Sequence, residues 1–128
     1  MSGVPPQFQH IRIRVVCSYD LVARAVRDTL AESGWQVQIS ASLDDSLADA
    51  DLLIVDGAIA KTALHTLSPD LPRIVIDSTC TPRHVRQIAA HNVDGHLYLG
   101  DRLCERLKSA VIDVLEGGMY YSPSIAAA

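Results

Sequence analysis

The sequence predicts an α/β fold in which a five-stranded parallel sheet is covered by helices on both faces. Short β-branched segments alternate along the chain with amphipathic segments of helical period. Two segments, Asp51–Asp56 (DLLIVD) and Arg73–Asp77 (RIVID), enclose continuous apolar runs, the pattern of strands buried on both faces. The 128 residues are 48% hydrophobic with mean hydropathy +0.16, enough for one core and too few for two.

Each element has its own justification. Residues 1–10 read as a polar lead-in, because Pro5-Pro6 suits neither a helix interior nor a central strand. Ile11–Val16 (IRIRVV) alternates with arginine and then turns wholly apolar, as a strand entering a sheet does. Asp20–Ser33 sets Leu21, Val22, Ala25, Val26 and Leu30 on one helical face, with Asp20 as N-cap and Gly34 as the stop. Trp35–Ser40 (WQVQIS) alternates again and is the second strand. A short helix with acidic residues in its first turn is expected over residues 43–49. After the third strand, Asp51–Asp56, a helix is expected over Ala58–Leu67, closed by Ser68-Pro69-Asp70. The fourth strand, Arg73–Asp77, leads to a helix with Thr81 as N-cap and Pro82 at its first position, running to about His91. Asn92–Gly95 turns into the fifth strand, His96–Leu99, and Asp101–Glu116 forms a long amphipathic helix ended by Gly117-Gly118.

Composition excludes several functions. A net charge of −4 with scattered arginines offers no cationic patch, so the chain by itself is not expected to bind nucleic acid. No apolar run approaches the length of a membrane span, and the first ten residues carry no signal-peptide pattern, so a cytoplasmic location is expected. Cys17, Cys80 and Cys104 are odd in number and widely spaced, as reduced thiols are. Cys80 and His84 are four residues apart, but two ligands do not make a zinc site; a buried thiol beside a surface imidazole is expected. No Walker loop or dinucleotide fingerprint is present.

In parallel sheets of this kind, function gathers beyond the carboxyl ends of the strands. Those ends are Val16-Cys17-Ser18, Ser40, Asp56-Gly57, Asp77-Ser78-Thr79 and Leu99-Gly100.

From about Ile11 to Ala126 the chain resembles the receiver domain of response regulators, in particular those that precede a LuxR/NarL-type helix-turn-helix. Asp56, closing DLLIVD, stands where that family keeps its phosphoacceptor aspartate. Ser78 stands where it keeps a hydroxyl switch residue, and Tyr98 near its aromatic switch. Val114–Ala127 (VLEGGMYYSPSIAA) looks like the end of the last helix and the linker toward the DNA-binding domain. The resemblance implies a flavodoxin-like (βα)5 sheet of strand order 2-1-3-4-5, a receiver-like domain over residues 11–117, and a linker beginning at residues 118–128. It also implies two-component signalling, with DNA bound only through a C-terminal domain outside this chain. A protein partner or a homodimer would use the face of that family's fourth helix, fifth strand and fifth helix, here His84, Gln87, Ile88, Tyr98, Arg102 and Arg106.

The departures from the family pattern shape the expectation. Receivers carry two adjacent acidic residues after the first strand that hold Mg²⁺; here the positions are Cys17 and Ser18, with Asp20 nearby. They also carry a lysine at the end of the fifth strand, where this chain has Leu99, while Lys61 and Lys108 lie elsewhere in the sequence. Magnesium requires hard oxygen ligands, so its binding is expected to be weak or absent and no cofactor is implied. The chain therefore reads as an atypical receiver, not an enzyme, with a remodelled pocket of Cys17, Ser18, Asp20, Asp77 and Leu99. Asp77 is expected to face solvent or cap the next helix. A conventional phosphoacceptor using Asp56 is the first alternative. A cysteine phosphatase or phosphotransfer domain using Cys17 is the second, weakened because Arg24 lies one position too far for the phosphatase spacing.

Overall fold

A computed structural model describes residues 4–43 and 49–128. Five strands and four helices follow the expected order: β1 (Arg12–Val16), α1 (Asp20–Ala31), β2 (Gln36–Ile39), β3 (Leu52–Asp56), α2 (Gly57–Ala63), β4 (Arg73–Asp77), α3 (Pro82–Ala89), β5 (Gly95–Tyr98) and α4 (Leu103–Leu115). Two further elements close the chain, β6 (Tyr120–Tyr121) and α5 (Pro123–Ala127). The helix expected over 43–49 falls on residues 44–48, outside the described residues. The sheet is parallel throughout, in the order β2-β1-β3-β4-β5-β6. The expected order 2-1-3-4-5 is present, extended by a sixth strand.

The central strands explain the two-sided core. Side chains alternate across a sheet, so the unbroken apolar run of β3 supplies both faces. Leu52 and Ile54 join Ile13, Val15, Ile74, Ile76 and Leu97 under α1 and α4, while Leu53 and Val55 join Val16 and Val75 under α2 and α3. On the first face α1 contributes Ala23, Val26 and Leu30, and α4 contributes Leu107, Ala110, Val111 and Val114. Burial of each such leucine or isoleucine is worth about 1.5–3 kcal/mol.

Helix ends follow local chemistry. Gly34 (φ +86°) and Gly117 (φ +89°) take left-handed conformations after α1 and α4, which residues with a Cβ adopt at a cost. Thr81 caps α3 through its Oγ1, which accepts from the His84 N–H at 3.4 Å, and Pro82 occupies the first position. Asp20 does not cap α1: Tyr19 is the N-cap residue, and Asp20, exposed inside the first turn, pairs with Arg24 at 3.1 Å. The helix expected over Ala58–Leu67 stops at Ala63 and tightens into a 3-10 turn over Leu64–Thr66.

Both ends of the chain pack more closely than expected. Val4 is buried in the core of the α1/α4 face, Phe8 packs against it, and the Trp35 indole N–H donates to the Phe8 carbonyl at 2.7 Å. Residues 118–128, where a linker is expected to begin, pack on the domain. Tyr120 and Tyr121 pair with Gly95 and His96 of β5. Ser122 is fully buried; its Oγ accepts from the Tyr98 N–H at 2.9 Å, and its N–H donates to the His96 carbonyl at 3.1 Å. Asp101 holds α5 by accepting from the Ser124 N–H at 2.8 Å and the Ser124 hydroxyl at 2.6 Å, and Ile125 is buried. The edge of β5 is thus covered, so the expected partner face of α3, β5 and α4 is not open along its strand, and its member Ile88 lies in the core.

The Ser124 hydroxyl holds the Asp101 carboxyl below the ordinary aspartate range. A carboxylate depressed on folding contributes stability above its unfolded value, about 3.9, and loses it as pH falls through the folded value. Protection factors over residues 120–127, taken against the intrinsic exchange rate at each pH, should therefore fall on acidification below about pH 4, and Asp101→Ala should produce the same local loss at neutral pH while β3 and β4 stay protected.

Candidate functional site

The carboxyl ends of β1, β3 and β4 open into a crevice of about 410 Å³ lined by Cys17, Asp56, Gly57, Lys61, Asp77, Ser78, His84 and Leu99, among others. Two of its carboxylates are buried, Asp56 at 5% and Asp77 at 6% exposure, and a buried charge must be answered by hydrogen bonds or counter-charge. Register explains why they do not answer each other. Asp56 pairs with Ile76, so alternation assigns it to the α1/α4 face, while Asp77, one residue further along β4, belongs with Val75 to the α2/α3 face.

Asp56 is bound by backbone. Its Oδ1 accepts from the Ile59 N–H at 2.8 Å, which makes it the N-cap of α2, and its Oδ2 accepts from the Ser18 N–H at 2.6 Å. The Ser18 backbone thus touches the carboxylate. The Cys17 thiol also meets Asp56, and burial, followed by the Asp56 charge and hydrogen bond, pushes it above the ordinary cysteine value.

Asp77 is bound by imidazoles. His96 of β5 stands opposite Val75 and so lies diagonal to Asp77 on the same face. Its Nε2 lies 2.6 Å from Asp77 Oδ2, and both side chains are buried. His84, in the first turn of α3, brings its Nε2 to 2.8 Å from the same oxygen, but not in line for a hydrogen bond. Gly57 makes room for this carboxylate: a Cβ at that position would overlap Asp77 Oδ1 and Cγ.

These positions correct several expectations. Asp77 neither faces solvent nor caps α3; it is the centre of a His–Asp–His cluster. His84 is no surface imidazole, since its side chain retains 13% exposure and turns into the crevice. Lys61, set aside on sequence grounds, lines the crevice with Asp56. Asp20 is not among the crevice-lining residues, and the Tyr98 ring packs over Gly100, outside it. Cys17, Asp77, Ser78 and Leu99 line one crevice, and Ser18 adjoins it through its backbone. His96 escaped sequence reasoning; the available signal was an imidazole inside a strand with an acidic neighbour ending the strand before it.

No family model matches the sequence, and no curated protein does either. The similarity is three-dimensional. The isolated receiver domain of RcsB from Salmonella enterica serovar Typhimurium, solved with a phosphomimetic, superposes with a TM-score of 0.74 at 16% identity, over 92% of this chain and 97% of that one. The chain has the receiver fold. A LuxR-family response regulator from Aurantimonas sp. SI85-9A1 matches with a TM-score of 0.76 at 14% identity, over 91% and 92% of the two chains. The response regulator RcsB in complex with DNA matches with a TM-score of 0.76 at 18% identity; 92% of this chain is aligned with 66% of that one. In the receiver fold, the ends of β3 and β4 carry Asp56 and the Asp77–Ser78 pair, and the elements following β5 carry the β6–α5 segment.

Two outcomes follow from this geometry. Because the raised Cys17 thiol stays protonated through neutral pH, iodoacetamide should alkylate it more slowly than the exposed Cys104 at pH 8, the gap closing at higher pH. Gly57→Ala should cost about 1–3 kcal/mol in urea unfolding, since the new methyl displaces a buried, clamped carboxylate.

Proposed function

We propose that the chain is an atypical receiver, a signalling and protein-interaction module of a LuxR-type transcription regulator that works without conventional Mg²⁺-dependent phosphorylation of Asp56. The observation that carries this reading is the occupation of Asp56, whose two oxygens each accept a backbone N–H. Phosphoryl transfer is catalysed by positioning and by cations that stabilise the phosphoryl oxygens. Magnesium takes several oxygen ligands in near-octahedral geometry, and the residues beside Asp56 do not fit it. Cys17 presents a protonated thiol, Ser18 presents its backbone, and Leu99 brings no charge. Input then comes from a bound partner, a small ligand or self-association, and output passes to DNA through a separate domain, in the cytoplasm. The neighbouring RcsB–DNA complex supports that last step by analogy of fold.

A second reading has one observation in its favour. Lys61, exposed on α2, is among the residues that line the same crevice as Asp56 and is the one lysine there that could answer a phosphoryl charge. The cysteine-based alternative is disfavoured by the elevated thiol, because the nucleophile in such chemistry is the thiolate.

Titration of the chain with Mg²⁺ and beryllofluoride, followed by amide NMR, separates the readings. The expected outcome is no saturable shift at residues 56–59 and 77–79. Saturation there, abolished by Lys61→Ala, would establish the second reading in place of the first.

A further inference from the structure

We propose that Asp77, His84 and His96 form a binding site for a divalent transition-metal ion of the zinc class. The inference goes beyond the receiver reading and holds whether or not Asp56 accepts a phosphoryl group, because the cluster lies on the other face of the sheet.

The donor set comes first. One ligand atom from each residue, two imidazole nitrogens and a carboxylate oxygen, lies within 4.8 Å of the other two. Two nitrogens with one oxygen suit zinc and its neighbours in the first transition row, whereas magnesium and calcium take oxygen. The ligands come from three elements, the end of β4, the middle of β5 and the capped first turn of α3. Two of them thus stand on adjacent hydrogen-bonded strands, the arrangement that holds a site to shape.

The second observation is the state of His84. Among the described residues, its Nε2 is the buried side-chain nitrogen or oxygen left without a hydrogen-bond partner, although it lies 2.8 Å from Asp77 Oδ2. A buried polar atom left unmatched is rare and asks for an occupant. A cation between these atoms satisfies all three ligands at once. A tetrahedral ion about 2.0–2.1 Å from each ligand sets the ligand atoms about 3.3 Å apart. The 2.8 Å contact of His84 must then open by about 0.5 Å and the 2.6 Å contact of His96 by about 0.7 Å, the first by rotation of His84 at the crevice wall and the second by a shift of the Asp77 carboxylate against the buried His96.

The third observation is access. Asp77 and His84 both line the crevice, so an ion enters from solvent and keeps a coordination position facing the cavity. Three protein ligands with one open position is the pattern of zinc sites that take a water or a ligand. Gly57 contributes by leaving its Cβ space to the Asp77 carboxylate.

Calorimetric titration of the EDTA-treated full chain with ZnCl₂ tests the proposal, with the Co²⁺ absorption spectrum reporting ligand geometry. The expected result is one saturable equivalent and a tetrahedral cobalt spectrum, both weakened at least about tenfold in His84→Gln and in His96→Gln. The double variant His65→Gln/His91→Gln, whose residues lie outside the cluster, should bind as the parent does. His84→Gln carries the decision, since its residue lies at the crevice wall and circular dichroism verifies that the variant is folded. No saturable binding, binding unchanged in His84→Gln, or binding lost in the double variant would each overturn the site and leave a His96–Asp77 hydrogen bond with His84 beside it. The two tests stay distinguishable because the zinc result is read through His84→Gln and His96→Gln, and the beryllofluoride result at Asp56 through Lys61→Ala.

Discussion

A carboxylate buried at the end of a strand must have its charge answered, and the two found among the described residues, Asp56 and Asp77, are answered by different chemistry. Asp56 takes two backbone N–H groups, one from the β1–α1 connection and one from the first turn of α2. Asp77 takes imidazoles from β5 and α3. Each carboxylate therefore ties together segments far apart in sequence, and the mouth of the crevice is shaped by these two clamps. Removing one partner of a buried charge is costly because it leaves the other uncompensated, so the clamps constrain one another's neighbours as well as their own.

The two carboxylates divide the crevice between them. Asp56 organises backbone at the end of β3, while one strand over Asp77 meets the side chains of His84 and His96. The C-terminal segment is linked to that cluster: the His96 side chain touches Asp77 while its backbone carbonyl accepts from the buried Ser122. Ser122 also accepts from the Tyr98 N–H, and Asp101 holds Ser124. The segment covers what would otherwise be an exposed sheet edge, a surface prone to pairing with other chains.

How legible the molecule was in its sequence depends on how local the deciding interactions are. The strands read easily, because the apolar runs of β3 and β4 and the alternation of β1 and β2 report burial directly. The glycines after α1 and α4 and the Thr81-Pro82 start of α3 read well for the same reason, each being set within one helical turn. Asp20 misled, since an acidic residue before a helical pattern fits both an N-cap and a first turn. The packing of the C-terminal segment was not legible, because a two-residue strand carries almost no period and its burial depends on Asp101 and β5 rather than on its own composition. Lys61 lies away from the fifth strand, as its sequence position says, and only the seating of α2 brings it to the crevice rim.

By itself the sequence determined the parallel α/β architecture, the ends of its strands, and the presence there of Cys17, Ser18, Asp56, Asp77 and Leu99. These are matters of periodicity and identity, written residue by residue. Only the tertiary structure decided what each carboxylate does. Partners for Asp56 and Asp77 are chosen by strand register and by the seating of α2 and α3, and register, not proximity in the chain, brings a histidine from β5 against an aspartate from β4.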